Sequence, residues 1–301
     1  MKTLVQEDSS VVKISALNAK VQDYNQLVKT RLTLLVVFSA VITYFTAARG
    51  GEASWFDAFM LAVGGFLVVS ASNGLNQIIE KDYDKLMNRT ANRPVATQRM
   101  SVTEAAVMSS LMGIAGVMII GVFLNPLCSL LSLASLVMYA FIYTPMKRIS
   151  PVSVFVGAFP GAFPAMLGWV AFTGHITHEA IVLFAVQFFW QFPHFWSIAW
   201  ILDEDYKRAG FKMLPSYGKD KKSALQTLMF TLMLIPIGFL PTVEGFMGIW
   251  AGIIAIVGGI VLSYFAFRLY RTCENREAKR LMFASFLYLP LVQIAYLIDK
   301  I

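Results

Sequence analysis

Nine apolar runs alternate with short polar links along the chain, at about 31–48, 55–79, 103–124, 126–144, 152–173, 179–202, 224–241, 246–267 and 281–298. Each is close to the ~20 residues that a helix needs to cross a hydrocarbon core. In lipid, backbone polar groups are satisfied only within helices or closed barrels. Runs of this length therefore predict an all-α polytopic membrane bundle of nine transmembrane helices. Two links are very short: Asn125-Pro126 separates runs three and four, and Thr242 to Gly245 separates seven and eight. Breaks of this kind predict tight helical hairpins.

Ahead of the first run, residues 1–26 are polar and mixed in charge, with Glu7, Asp8 and Asp23 among the lysines. No apolar core leads to a small-residue cleavage site, so a signal peptide is not expected, and the acidic residues argue against a mitochondrial presequence. The expectation is a cytoplasmic leader over 1–26 and one membrane domain over 27–301. At 57% hydrophobic and 14% charged, the chain departs from soluble domains, where charged residues run near a quarter. Cys128 and Cys273 have no spacing that suggests a disulfide or a metal site. A net charge of +7 raises nucleic acid as a partner, but its distribution excludes that reading. Of the 25 Lys and Arg, 23 fall in the leader or in alternate loops, leaving Arg49 and Lys300 for the other face. Positive loops stay cytoplasmic, which predicts an inside N-terminus and an outside C-terminus.

One stretch carries most of the candidate chemistry: Ser72 to Asp84, continuing to Arg89-Thr90-Ala91-Asn92-Arg93-Pro94. At about 100° per residue, Asn76, Glu80 and Asp84 share one helical face, with Asn73 a turn earlier. An amide and two carboxylates thus converge where the helix reaches water. Oxygen donors of this kind suit Mg²⁺, which binds through one or two carboxylates plus substrate phosphates. Arg89 and Arg93 add guanidinium forks that match phosphate oxygens. Any one of these residues alone reads as ordinary interfacial charge. Taken together, with amides inside the apolar run, they read as a diphosphate site.

The loop after run six, Asp203-Glu204-Asp205-Tyr206-Lys207-Arg208, repeats the order of carboxylates followed by cations. Before it, Gln187, Gln191 and His194 lie near one helical face with Trp190 and Trp196 beside them. Polar residues in a span face the bundle interior or a water-filled cavity, although hydrogen bonding between helices explains each of them as well. The link after run four reads Tyr143-Thr144-Pro145-Met146-Lys147-Arg148, whose cations could equally anchor topology. Gly157, Pro160, Gly161, Pro164 and Gly168 in the next run permit close packing and kinks.

Asn76-x₃-Glu80-x₃-Asp84 resembles the first aspartate-rich motif of the UbiA-type intramembrane prenyltransferase superfamily. The longer string to Pro94 resembles its protoheme IX farnesyltransferase (heme O synthase) branch. So do Tyr143-Thr144 with Lys147-Arg148, Gly161-Ala162 with Pro164 and Gly168-Trp169, Trp190-Gln191 with Pro193-His194, and Asp205-Tyr206 with Met213-Leu214-Pro215. This resemblance implies helices around a central cavity with the active site at the cytoplasmic side of a bacterial inner membrane. It implies transfer of farnesyl from farnesyl diphosphate to a vinyl group of heme B. Asn76, Glu80 and Asp84 become the catalytic and Mg²⁺-binding residues, with Asp203 and Asp205 as second-site ligands. Lys29, Arg31, Arg89, Arg93, Lys147 and Arg148 become diphosphate-binding, and His194, Gln191 and Trp190 heme-binding. Heme B, farnesyl diphosphate and membrane lipid are the implied partners, with heme A synthase or terminal oxidase assembly factors downstream and no nucleic acid.

Three positions depart from the pattern. Glu80 stands where aspartate is usual, Lys207 interrupts a second Asp-x₃-Asp motif begun at Asp203, and Lys29-Thr30-Arg31 lacks a central proline. An aromatic or quinone prenyltransferase would share the diphosphate site, but the broken second motif and His194 count against it. A cation-coupled transporter would place its carboxylates nearer the bilayer midplane, on broken helices.

Overall fold

The structure is a computed structural model that describes residues 17–48 and 51–301. Leader residues 1–16 and Arg49, a cation expected on the outer face, lie outside the described residues. Among the described residues, nine helices are long and apolar enough to span a membrane. These are α1 (Thr30–Ala47), α2 (Trp55–Asp84), α3 (Val102–Phe123), α4 (Pro126–Met146), α5 (Val152–Thr173), α6 (His178–Ile201), α7 (Lys221–Val243), α8 (Ile249–Thr272) and α9 (Asn275–Ile298). The chain is thus an integral membrane protein. Leu35, Phe59, Ile114, Leu130, Val257 and Leu287 are exposed on the outer surface of the bundle, the side that meets lipid tails.

Local chemistry explains the helix boundaries. Ser54, Ser101, Asn125, Thr177 and Asp220 each accept a hydrogen bond from a first-turn amide, satisfying donors that a helix start leaves open. Pro126 follows the Asn125 cap inside the α3–α4 break, where its missing N–H costs nothing. Gly245 adopts φ 76° in the α7–α8 turn, a conformation that glycine reaches without strain. Several helices outrun their apolar segments. α2 continues from 79 to Asp84, and α9 starts at Asn275 rather than 281.

Successive helices pack as neighbours, and α9 returns to α1 to close the ring. Small residues set the closest approaches. A Cβ on Gly64 would lie 2.5 Å from Ile120, and one on Gly168 would lie 2.0 Å from the Ala40 carbonyl oxygen. Such contacts are how helices associate where lipid offers no hydrophobic drive. A helical segment over 17–28 precedes α1 and lies against the bundle. Gln77 of α2 donates to the carbonyls of Gln26 (2.9 Å) and Leu27 (3.0 Å). Arg99 Nε reaches Asp23 at 2.8 Å, and Lys20 reaches Glu104 at 2.8 Å.

Candidate active site

Lys29 links the segment over 17–28 to α1 at φ 51°, ψ 55°, a left-handed conformation that costs a non-glycine residue about 1–2 kcal/mol. Its neighbours hold it there. Thr33 Oγ1 donates to the Val28 carbonyl (2.7 Å), and so does Asn73 Nδ2 (3.2 Å). Asn73 Nδ2 also meets Thr33 Oγ1 at 3.2 Å. The amides Asn73 and Gln77 of the polar stretch are therefore spent on docking this turn against α2, and the turn brings Lys29 to the site.

Asn76, Glu80 and Asp84 are buried on one face of α2. Glu80 pairs with Lys147 Nζ at 2.8 Å, and both oxygens of Asp84 accept from Arg93 Nη1 at 2.8 Å. Arg93 also lies 3.8 Å from Glu80. Lys147 follows α4, whose last turns widen into a π-helix over Met138–Tyr143. Widened turns of this kind are frequent at functional sites. Here the turn brings Tyr143 beneath Lys147, with Nζ 4.7 Å from the ring centre. Gly157 opposite leaves room for that ring, which a Cβ would approach to 2.6 Å.

The same turn orients Asn76. Thr144 Oγ1 donates to the Tyr139 carbonyl (2.8 Å) and accepts from Asn76 Nδ2 (3.2 Å). With its one proton committed, the Thr144 hydroxyl can only accept from the amide. Asn76 must turn its NH₂ toward Thr144, and Oδ1 is left without a hydrogen-bond partner among the described residues.

Positive charge exceeds negative charge here. Lys29 has no acidic partner within ion-pair distance among the described residues. Burial, then repulsion from Arg93 and Lys147, hold its ammonium well below the usual lysine pKa, against the pull of Glu80. Lys147 is also opposed by burial, but Glu80 outweighs that and raises it. Arg89 adds further repulsion. Lys147 is buried, Lys29 and Arg93 are half-buried and Arg89 is exposed, and cations outnumbering carboxylates in this way call for an anion with several oxygens. Arg148 is drawn to the rim, where it bonds the Tyr83 hydroxyl and sits 4.1 Å from that ring. Arg31 is exposed near the start of α1.

The second acidic cluster forms a short helix, Asp203–Arg208. Asp205 Oδ2 accepts from the Arg89 amide at 3.4 Å, and Arg208 Nε donates to the Leu86 carbonyl at 3.2 Å. Both clusters thus meet at one end of the bundle. Asp203 is paired with Lys207 (2.7 Å) and Asp205 with Arg208, each within its own short helix, whereas Glu80 and Asp84 take their cations from other segments. Among the described residues no group of three or more His, Cys, Asp and Glu forms a metal cage.

The residues of the α6 stripe face different neighbours. Gln191 Nε2 donates to the Ala158 carbonyl of α5 at 2.8 Å. His194 turns to α9 with Trp190 stacked on it at 4.7 Å, and its Nδ1 lies 2.9 Å from Ser285 Oγ. Ser285 Oγ already donates to the Met282 carbonyl (2.7 Å), so it accepts from His194. That places the imidazole proton on Nδ1 and leaves the Nε2 lone pair free. Trp190 Nε1 donates to the Ser285 carbonyl at 2.8 Å.

The UbiA prenyltransferase family model matches residues 35–288. The chain belongs to that family. A relative from Cytophaga hutchinsonii named protoheme IX farnesyltransferase is 49% identical, over 93% of this chain and 98% of its own. One of the same name from Flavobacterium johnsoniae is 43% identical over 92% and 94%. Among solved structures, digeranylgeranylglyceryl phosphate synthase superposes with TM-score 0.78 at 18% identity, covering 93% of this chain and 98% of its own. A UbiA homologue from Archaeoglobus fulgidus bound to GPP and Mg²⁺ gives 0.68 at 14%, covering 91% and 99%. These structures establish the UbiA fold, and the relatives establish the prenyltransferase family.

Within this UbiA bundle, sequence reasoning passed over Ser39, Gln293 and Ser285. Ser39, Ser285 and Gln293 were all detectable as polar residues within apolar spans. Thr144, in the link after run four, carries no chemistry that its own sequence neighbours reveal.

Proposed function

We propose that the chain transfers the farnesyl group of farnesyl diphosphate to a vinyl group of heme B, giving heme O and diphosphate. The observation that carries this reading is the convergence of Lys29, Arg89, Arg93 and Lys147 on Glu80 and Asp84 at one end of the bundle. The names of the relatives at 49% and 43% identity supply the acceptor.

Breaking the allylic carbon–oxygen bond leaves charge on the diphosphate and a delocalised allylic cation. Lys29, Arg89, Arg93 and Lys147 neutralise the leaving group electrostatically, with Arg31 and Arg148 guiding it from the rim. The free Asn76 Oδ1 and the carboxylates of Glu80 and Asp84 fit Mg²⁺, which binds through few carboxylates and shared phosphates rather than a full protein cage. When bound, the ion supplies further charge neutralisation at the diphosphate. Asp203 and Asp205 would hold a second ion, sharing their oxygens with Lys207 and Arg208 as Glu80 and Asp84 share theirs with Lys147 and Arg93. Apolar walls between the helices keep water from the cation. The vinyl carbon forms the new bond to the allylic carbon, and water adds to the resulting porphyrin-side cation with loss of a proton.

For heme B, the geometry favours His194. A metal-bound histidine ordinarily donates its other ring N–H to a fixed acceptor, as Nδ1 does to Ser285. We assign Nε2 to the iron, Trp190 to the heme face and Gln191 to the α5 side of the same cavity. The bias of Lys and Arg to one end supports an orientation with that end and the N-terminus in the cytoplasm of a bacterial cell and the C-terminus outside. Cysteine labelling from outside should reach His175 and Val243 but not Ala91 or Lys219. Purified protein given heme B, farnesyl diphosphate and Mg²⁺ should yield a porphyrin heavier by farnesyl plus hydroxyl. Prenylation of a quinone precursor with heme B untouched would overturn the acceptor.

A further inference from the structure

The segment over 17–28 and the link between α2 and α3 share a small apolar cluster apart from the main core. Leu27 of the segment clusters with Val95 and Met100 of the link, all three almost fully buried. Arg99 joins the same two pieces by hydrogen bonds. Its Nε donates to Asp23 Oδ1 (2.8 Å), and its Nη2 donates to Gln26 Oε1 (3.0 Å) and to the Asn92 carbonyl (2.9 Å). Asp23 and Gln26 lie shortly ahead of Lys29, and Asn92 lies directly ahead of Arg93. One side chain thus grips both pieces that deliver diphosphate cations.

Backbone and charge both give these pieces a need for a tie. Gln98, immediately before Arg99, adopts φ 62°, and Lys29 adopts φ 51°. Left-handed conformations of this kind cost a residue other than glycine free energy and persist only where the surroundings hold them. Lys29 is also repelled by Arg93, Lys147 and Arg89, against the attraction of Glu80. Like charges push the Lys29 turn and the Arg89–Arg93 link apart until an anion enters between them. An anion that had to gather them by itself would lose affinity to the cost of ordering its own site. Asn73 and Gln77 fix the turn to α2, while Arg99 fixes it to the link.

We propose that Arg99 is a positioning residue for the diphosphate, bracing Lys29 beside Arg93 through Asp23, Gln26 and Asn92 before the anion arrives. The rigid fork of a guanidinium suits a brace of three bonds, whereas an ammonium is a point charge on a flexible stem. The Nε and Nη2 protons of Arg99 are committed to the protein, so its effect reaches the diphosphate through Lys29 and Arg93. The inference deepens the prenyl-diphosphate reading above and rests on it.

Arg99→Lys keeps the charge and loses the fork. Titration of the detergent-purified chain with farnesyl diphosphate and Mg²⁺ should give an affinity about tenfold below wild type, within the ~5- to 150-fold span of couplings between linked sites. In a Lys29→Met background the same change should cost little more, because residues that act as one unit are not additive. Hydrogen exchange should show residues 23–29 less protected in Arg99→Lys than in wild type, with inorganic diphosphate and Mg²⁺ restoring most of the difference. Asp23→Asn loosens the tie from the leader side and should weaken binding in the same direction, so it reports even if Arg99→Lys does not fold. Wild-type affinity, or unchanged exchange over 23–29, in the folded variants would overturn the brace. So would a loss that adds in full to that of Lys29→Met, the signature of direct contact or of a general loss of structure. A wild type that binds neither farnesyl diphosphate nor inorganic diphosphate would overturn the prenyl-diphosphate reading together with the brace. Binding by wild type with unchanged variants removes the brace alone.

Discussion

Replacing Thr144 with valine isolates the orientation of Asn76 from the donors themselves. Valine keeps the branched shape and removes the hydroxyl that accepts from Asn76 Nδ2 and donates to the Tyr139 carbonyl. Asn76 is 1% exposed, so water cannot replace the lost partner. A buried donor left unsatisfied costs about 1–3 kcal/mol, which is the bias that keeps Oδ1 turned to the site. Losing it should weaken divalent-ion binding about 5- to 150-fold, at ~1.4 kcal/mol per factor of ten. Mn²⁺ titrated by electron paramagnetic resonance in the presence of farnesyl diphosphate reads this directly, beside the Mg²⁺ dependence of turnover. Thr144→Ser should retain most of the affinity. Because the two residues act as one unit, Thr144→Val should add little in an Asn76→Ala background. Wild-type Mn²⁺ affinity in folded Thr144→Val, or equal loss in Thr144→Ser, would refute the reasoning.

Glu80→Gln and Asp84→Asn should each lower turnover at least about 100-fold, the scale of a lost electrostatic contact in an active site. Glu80→Asp should be milder, since it keeps a charged oxygen, as steady-state rates at limiting Mg²⁺ will show. Glu80→Gln should also lower stability by about 3–5 kcal/mol, because Lys147 loses its counter-charge, measurable by thermal unfolding in detergent. Lys29 has a lowered pKa in the free site, and bound diphosphate should raise it. Diphosphate affinity is then full below the lowered value and falls by up to about tenfold per unit as pH rises toward the bound value. A Lys29→Met variant should lose that slope in binding titrations. Heme B titrated into the protein should shift its Soret band. His194→Ala should weaken the shift and leave farnesyl diphosphate binding intact; an unchanged spectrum would remove His194 from the heme site.

Hydropathy alone determined the nine helices, because spans in lipid must satisfy their own backbone and so declare themselves in runs of fixed length. The face shared by Asn76, Glu80 and Asp84 was equally legible, since helical periodicity holds wherever a helix continues, and α2 continues to Asp84. Partnership was not legible. Nothing local distinguishes the amide of Asn73, spent on Val28 and Thr33, from that of Asn76, held by Thr144 with its oxygen free. The stripe on α6 was read as one face, yet Gln191 bonds α5 and His194 bonds α9, because a helix inside a bundle touches several neighbours within a narrow arc. The acid-rich turn at Asp203 repeats the order of carboxylates and cations, but its pairs with Lys207 and Arg208 stay within one short helix, whereas Glu80 and Asp84 draw Lys147 and Arg93 from other segments. Ser39, Gln187 and Gln293 come from three spans separated by more than a hundred positions, and only packing joins them. Sequence periodicity specifies which way a side chain leaves its own helix, while the hydrogen-bond partner it meets depends on how the other helices close around it.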